Sequence, residues 1–247
     1  MVGRTQRFVD QLRSYDLADP GSKREYNRRL FRVVATRYDA ITRVLSLWQD
    51  RGWKRRLIAG LPDSAVRLAV DIACGTGDLT VAVADRYRQA RVVGVDLSPE
   101  MLARARRRRA ENRVTFVEAD MGELPFDTGG VDLVTGGYAL RNAPDLDRLL
   151  AELARVLRPG GSLAILDFSR SSHRFPRELQ LGILSFWGRL WGRLLHGNPE
   201  VYGYISESLR RFPSTPELEK RLGEHGFHSL RSRSFFFGLV TITRARR

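Results

Sequence analysis

The chain has 247 residues, 43% of them hydrophobic, with one cysteine and a formal net charge of +14, a size that suits one α/β domain with a sizeable core. No apolar run reaches the ~18 to 20 residues that span a bilayer, and the N-terminus, with Arg4, Gln6, Arg7 and Asp10, has no signal-peptide core, so a cytoplasmic protein is expected. The lone Cys74 excludes an internal disulfide and a cysteine-only zinc site, and His173, His196, His225 and His228 show no metal spacing, so no metal is expected.

Residues 1–30 read as a basic, weakly periodic and partly flexible extension. A single domain, 31–247, follows. Its first part, 31–62, is a helical cap: Phe31, Val34, Ala35, Tyr38 and Ile41 recur at helical spacing, then Val44, Leu45, Leu47 and Trp48, then Trp53 and Leu57. A core of 66–168 comes next. The apolar run Val66 to Val70 leads into Asp71-Ile72-Ala73-Cys74-Gly75-Thr76-Gly77-Asp78, and a helix starts near Leu79. Strand, glycine turn, helix is the entrance to a nucleotide-type site, because Gly75 and Gly77 admit a ligand close to the backbone and the helix aims free N–H groups at it. Cys74 fits there as a small packing residue.

The second strand, Arg91 to Val95, ends at Asp96, about 20 residues past the turn, where a carboxylate accepts hydrogen bonds from ribose hydroxyls. Ser98-Pro99-Glu100 then caps a helix with Met101, Leu102 and Ala105 inward. That leaves Arg106 to Arg109 as a solvated face. With no reading motif beside it, the positive charge is assigned no nucleic-acid partner. A third strand, Val114 to Val117, ends at Glu118-Ala119-Asp120, within reach of an adenine edge; a fourth spans Val131 to Thr135, and Leu146 to Leu157 is an amphipathic helix. Arg158-Pro159-Gly160-Gly161 stops it before a fifth strand, Ser162 to Phe168. Alternating strands and helices predict a Rossmann-like, doubly wound, mostly parallel sheet with ligands at the strands' carboxyl ends. A helical insertion, 172–215, departs from that rhythm. Within it Arg177 to Leu195 reads as one helix with Ile183, Trp187, Leu190, Trp191 and Leu194 on a stripe, suited to core packing or to peripheral contact with an anionic membrane. The rest, 216–247, holds a helix and two strands, Ser229 to Phe235 and Phe237 to Thr243.

Thr80 stands where a dinucleotide fingerprint has its third glycine, and the turn carries an acid instead. The set Asp71, Gly75, Gly77, Asp96 and Asp120 therefore resembles the class I S-adenosylmethionine-dependent methyltransferases, whose cationic sulfonium suits acidic side chains. More narrowly, the sequence resembles the ubiquinone and menaquinone biosynthesis C-methyltransferases from about Phe31 to Phe227. Four segments carry the likeness: Phe31 to Asp39 with Ser46 and Trp53-Lys54-Arg55; Leu140-Arg141-Asn142; Leu157 to Gly161; and Tyr202 to Leu209 with Phe212-Pro213. Gly137 stands where that family usually has serine, Thr42 where it has asparagine, Cys74 where it has glycine, and Tyr138-Ala139 where it has phenylalanine-glycine.

The resemblance implies methylation of the ring of a prenylated hydroquinone, demethylmenaquinol ahead of the ubiquinone intermediate, with no metal. It implies cofactor contacts at Thr76, Asp96, Asp120, Met121 and Gly137, beside Asp71, Gly75 and Gly77 of the turn. Tyr38, Asp39 and Tyr202 become substrate-side candidates. Methyl transfer from a sulfonium asks the protein to align nucleophile and methyl, stabilise a phenolate and accept a proton. Arg141, too basic to accept a proton, is the electrostatic candidate; Asn142, Tyr204 and Glu207 complete the catalytic set. Two other readings stay open: a paralogue acting on another aromatic or polyketide-like metabolite, and a non-catalytic cofactor- or RNA-binding protein. A homodimer is also compatible with the sequence.

Overall fold

The computed structural model describes residues 15–35, 38–108, 113–171, 174–196, 203–236 and 238–247, without the side chains of residues 33, 40, 41, 174–176, 194–196, 203 and 204. Three helices come first: α1 (Pro20–Val34), α2 (Tyr38–Leu45) and α3 (Asp50–Ala59). Then β1 (Leu68–Ile72), α4 (Asp78–Arg86), β2 (Arg91–Asp96), α5 (Pro99–Arg108), β3 (Val114–Glu118) and β4 (Val131–Gly137) alternate. A 3-10 turn at Leu140–Asn142 precedes α6 (Leu146–Val156) and β5 (Leu157–Phe168). The chain ends with α7 (Arg174–His196), α8 (Gly203–Arg211), α9 (Thr215–Glu224), β6 (His228–Phe235) and β7 (Val240–Arg246).

The seven strands lie in the order β3-β2-β1-β4-β5-β7-β6. β1 pairs in parallel with β2 on one side and β4 on the other, so the winding reverses between β1 and β4 and opens a crevice at their carboxyl ends. The last two strands form a hairpin, and β7 runs antiparallel to β5. Each central strand is apolar on both sides because each face is covered. Val70, Ile72, Val93, Val95, Val134 and Ile165 pack under α6 and α9, while Ala69, Val92, Leu133, Ala164 and Leu166 pack under α3 and α4. A third, smaller cluster of Tyr26, Leu30, Val34, Ala35 and Met101, flanked by Phe31, Tyr38, Leu45, Trp191 and Ile205, joins α1, α2 and α7 over the strand ends.

Three boundaries differ most from the sequence reading. Ordered structure begins before residue 31, because Asp19 accepts the Ser22 N–H and Pro20 opens α1. That helix buries Tyr26, Asn27, Leu30 and Val34 among arginines, too thin a stripe for periodicity to expose. The fifth strand begins at Leu157, not Ser162. Gly160, at φ 74°, turns the chain without leaving the sheet, and its N–H meets the Arg247 carbonyl at 2.6 Å. The last strand runs Val240–Arg246, not Phe237 to Thr243, because Gly238 at φ 82° turns the chain before it. Phe237 lies outside the described residues.

Packing at two glycines predicts opposite signs. A Cβ on Gly94 would sit 2.7 Å from the Phe116 ring and 3.0 Å from Cys74 Sγ, whereas one on Gly223 in α9 meets nothing within 4 Å. Gly94→Ala is expected to lower unfolding free energy by about 1 to 3 kcal/mol and Gly223→Ala to raise it by about 0.5 to 1 kcal/mol, read from denaturant titrations.

Candidate active site

Under α1, at the carboxyl ends of β1 to β4, lies a partly open cavity with a mostly apolar lining and a few polar groups, the form small-molecule sites take. Ala73 and Gly75 line it from the β1 turn, Asp96 and Met101 from the β2 side, Asp120 and Met121 after β3, and Gly137, Tyr138 and Asn142 after β4.

The turn owes its shape to two left-handed glycines, Gly75 at φ 55° and Gly77 at φ 80°, and to the carboxylates behind it. Asp96 accepts the Gly75 N–H at 2.8 Å on one oxygen and the Ser98 N–H at 2.9 Å on the other. Each oxygen keeps a second lone pair, which is what two ribose hydroxyls require. Burial pushes its pKa up. Asp120 accepts the Gly122 N–H at 2.8 Å and pairs with Arg24 of α1, also at 2.8 Å, so this acid beyond the end of β3 is tied to the roof above it. Gly137 has room for a serine: a Cβ there would be 3.6 Å from Leu79 and 3.9 Å from Lys54, ordinary contacts.

Other expected residues sit around the cavity instead of in its lining. Asp71 is fully buried and accepts from the Thr80 hydroxyl at 2.7 Å and the Thr135 hydroxyl at 2.9 Å, tying β1 to α4 and β4 behind the turn. Desolvation pushes its carboxyl up to about 7. Gly77 packs its backbone against Ala105 and Phe116. Thr76 donates to Asp39 at 2.7 Å, and Arg108 binds both, so Asp39 anchors α2 to the turn and lines a separate open groove with Lys54 and Asp78. Tyr38 borders both spaces, and burial pushes its phenol up to about 12.

Arg141 is buried outside the lining, against Ser208, the Phe168 ring and Asp167, whose Oδ1 is 3.9 Å from its Nε and whose Oδ2 accepts its backbone N–H at 3.1 Å. Burial outweighs that guanidinium and pushes Asp167 up to about 6. Asn142 does line the cavity; its amide donates to the Tyr138 carbonyl at 2.8 Å and its own carbonyl accepts from Asn27 at 2.7 Å. Glu207 pairs with Arg211 at 3.4 Å. Tyr202, His173 and the side chains of Tyr204, Leu194 and His196 lie outside the described residues. Among the described residues no His, Cys, Asp and Glu cluster could hold a metal ion.

Two groups went unread in the sequence. Arg24, Asn27 and Arg28 share one helix face with Phe31 and roof the cavity, and their signal was that helical spacing among polar residues. The second is a buried polar chain: the Tyr138 hydroxyl donates to Asp50 at 2.8 Å, and Lys54 bridges Asp50 at 2.9 Å and Asp78 at 2.6 Å. The two aspartates hold the Lys54 pKa well above the ordinary range despite burial. Its signal was the i, i+4 pair Asp50 and Lys54.

Carboxylates at successive strand ends, a glycine turn they brace and a doubly wound sheet define an S-adenosylmethionine-dependent methyltransferase of class I. The chain belongs to the ubiE/COQ5 methyltransferase family, whose model matches residues 20–247. It is 38% identical over 221 residues to the demethylmenaquinone methyltransferase of Thermus thermophilus, covering 86% of this chain and 97% of that protein. It is 31% identical over 228 residues to the Staphylococcus aureus protein of the same name, covering 92% and 95%. Among solved structures, a SAM-dependent methyltransferase from Thermotoga maritima superposes with a TM-score of 0.62 at 19% identity, covering 88% of this chain and 98% of that one, a likeness of fold.

The raised pKa of Asp71 has a sign that can be checked. Unfolded, the carboxyl loses its proton near 3.8; folded, it keeps it to about 7. Between those values the unfolded state binds fewer protons, so this group's contribution to stability falls as pH rises. Asp71→Asn is expected to remove that slope. The stability of the wild type relative to the variant should decline steadily across the window in denaturant titrations.

Proposed function

We propose that this chain transfers the S-adenosylmethionine methyl group to a ring carbon of demethylmenaquinol, giving menaquinol. The observation that carries the reading is the continuity of one cavity from the acids after β2 and β3 to Tyr138 and Asn142 after β4. Names of relatives with nearly full mutual coverage supply the acceptor.

Asp96 would hold the ribose hydroxyls, Asp120 and Met121 the adenine edge, and the backbone at Gly75 and Gly137 the methionine end. Bound there, the cofactor supplies a methyl on a leaving group that departs neutral. Asp71 and Thr76 act through the turn, the first by bracing it from beneath and the second by clamping it to Asp39. For the acceptor, Asn142 and Tyr38 are the wall residues that orient the ring, and α1 excludes water from above. Arg141 contributes positive potential to a developing phenolate from behind the wall, offset by Asp167. A prenyl tail keeps such a quinol in lipid, so the enzyme works at the cytoplasmic face of the cell membrane. Among the described residues no helix is long and apolar enough to cross it.

Incubation with labelled S-adenosylmethionine and a short-chain demethylmenaquinol should yield ring-methylated product. Asp96→Ala should weaken cofactor binding by calorimetry at least about tenfold, or ~1.4 kcal/mol. Turnover of a different phenol in place of the quinol would assign another acceptor. Cofactor binding with no turnover of any phenol, together with salt-dependent RNA retention, would remove the enzyme reading.

A further inference from the structure

The long helix α7 has two unlike faces. Leu181 is buried in the main core, Leu184 packs against it, and Trp191 joins the cluster that roofs the strand ends with Phe31 and Tyr38. Trp187 and Trp191 meet edge to face at 5.8 Å and turn their indole nitrogens inward, where among the described residues neither finds an acceptor. The tryptophans that marked the apolar stripe in the sequence therefore face the protein. The outward row keeps Ile183 and Leu190 of that stripe and adds Leu179 and Phe186. Leu179, Ile183, Phe186 and Leu190, spaced by four, three and four residues, are 57%, 57%, 68% and 38% exposed. Arg189 and Arg193 flank it, both exposed, and among the described residues neither has an ion-pair partner.

We propose that this outer face of α7 is a docking surface for an anionic phospholipid bilayer. Four large apolar side chains in a row are more than the scattered exposure a soluble surface carries, and they mark a contact. The charge selects the contact. A second protein surface would have to desolvate or pair the two flanking guanidiniums, whereas lipid phosphates meet them at the depth where the apolar stripe sinks among acyl chains. A helix of 23 residues, ~34 Å long and lying in the membrane plane, gives that stripe its length. The opposite face of the same helix packs, through Trp191, on residues beside the cavity, including Tyr38. A quinol could thus pass from lipid to the site along α7. The functional part of this inference rests on the quinol reading; the docking surface does not. Leu47 and Trp48, 42% and 67% exposed at the end of α2, against which α7 packs, offer a second apolar contact near it.

The test is sedimentation of the full chain with vesicles of phosphatidylglycerol and phosphatidylcholine, compared with phosphatidylcholine alone, across a salt series. The wild type is expected to bind the anionic vesicles and to lose affinity with salt. The exposed double variant Ile183→Asp/Phe186→Asp should keep its fold by circular dichroism and bind on the order of tenfold or more weakly. It should also turn over a long-tailed quinol in vesicles more slowly while matching the wild type on a short, water-soluble one. Equal vesicle binding by variant and wild type, or no vesicle binding by either, overturns the proposal. So does a lipid-free dimer that the double variant converts to monomer in sedimentation velocity, which would assign the stripe to a second copy of the chain. If the wild type binds vesicles but methylates neither quinol, the docking surface stands and the acceptor falls.

Discussion

The cofactor side of this molecule depends on one buried carboxylate. Asp71 has no exposure to water, and its two oxygens take hydroxyl donors from Thr80 on α4 and Thr135 on β4. The last residues of β1 are thereby fixed to the helix that follows and to the neighbouring strand, and the glycine turn is left with little freedom. Without that tie, the left-handed backbone at Gly75 and Gly77 would cost order with nothing to repay it. The arrangement is also expensive in its own right, since burial of a carboxylate with two neutral donors raises its pKa. Its chemical value is indirect. Asp71 shapes the wall that Asp96 completes by accepting the Gly75 amide.

Most of the sheet was legible because parallel strands covered on both faces must be apolar along their whole length, and five such runs stood out between amphipathic helices. The ligand end was legible for a related reason. A glycine turn, an acid at the second strand tip and another at the third are spaced by the topology itself. The parts that escaped were those in which tertiary contact overrides periodicity. α1 is mostly arginine, glutamate and serine on its outside and buries Asn27 within its contact face, so its hydrophobic pattern is weak. α7 presents the reverse problem: apolar residues surround it, and sequence alone cannot tell which row faces the core. The tryptophans drew attention by size, yet size is what directs them inward, where an aromatic pair buries the most area.

The candidate site was readable as a set of acids but not as a set of contacts. Asp71 was assigned to ligand binding by its place in the turn, Thr76 and Asp39 by resemblance, and in the structure each spends hydrogen bonds on the turn or the cap. Arg141 was placed at the correct strand tip, but its partner is Asp167, a residue at the end of β5 that no local spacing links to it. Conversely, Tyr138 departs from the phenylalanine of the resembling family, and its hydroxyl finds Asp50, itself held by Lys54. A change that looks conservative on paper therefore adds a polar bond to a chain of buried charges, which favours retention of both partners together.

The high arginine content also has a structural use. Much of the arginine is engaged with the protein's own acceptors: Arg155 bridges the carbonyls of Leu124 and Phe126 and the carboxylate of Glu152, Arg158 binds Asp132, Arg113 caps the Ala84 carbonyl and Arg247 the Ala154 carbonyl. A planar guanidinium with five N–H donors can serve a carboxylate and two carbonyls at once, which an ammonium on a flexible stem does poorly. Arginine is thus used here as loop mortar as well as charge. Arg189 and Arg193, which have no ion-pair partner among the described residues, border an apolar row on a helix whose other side packs beside the cavity, so these two charges lie where a lipid-dissolved acceptor would have to arrive.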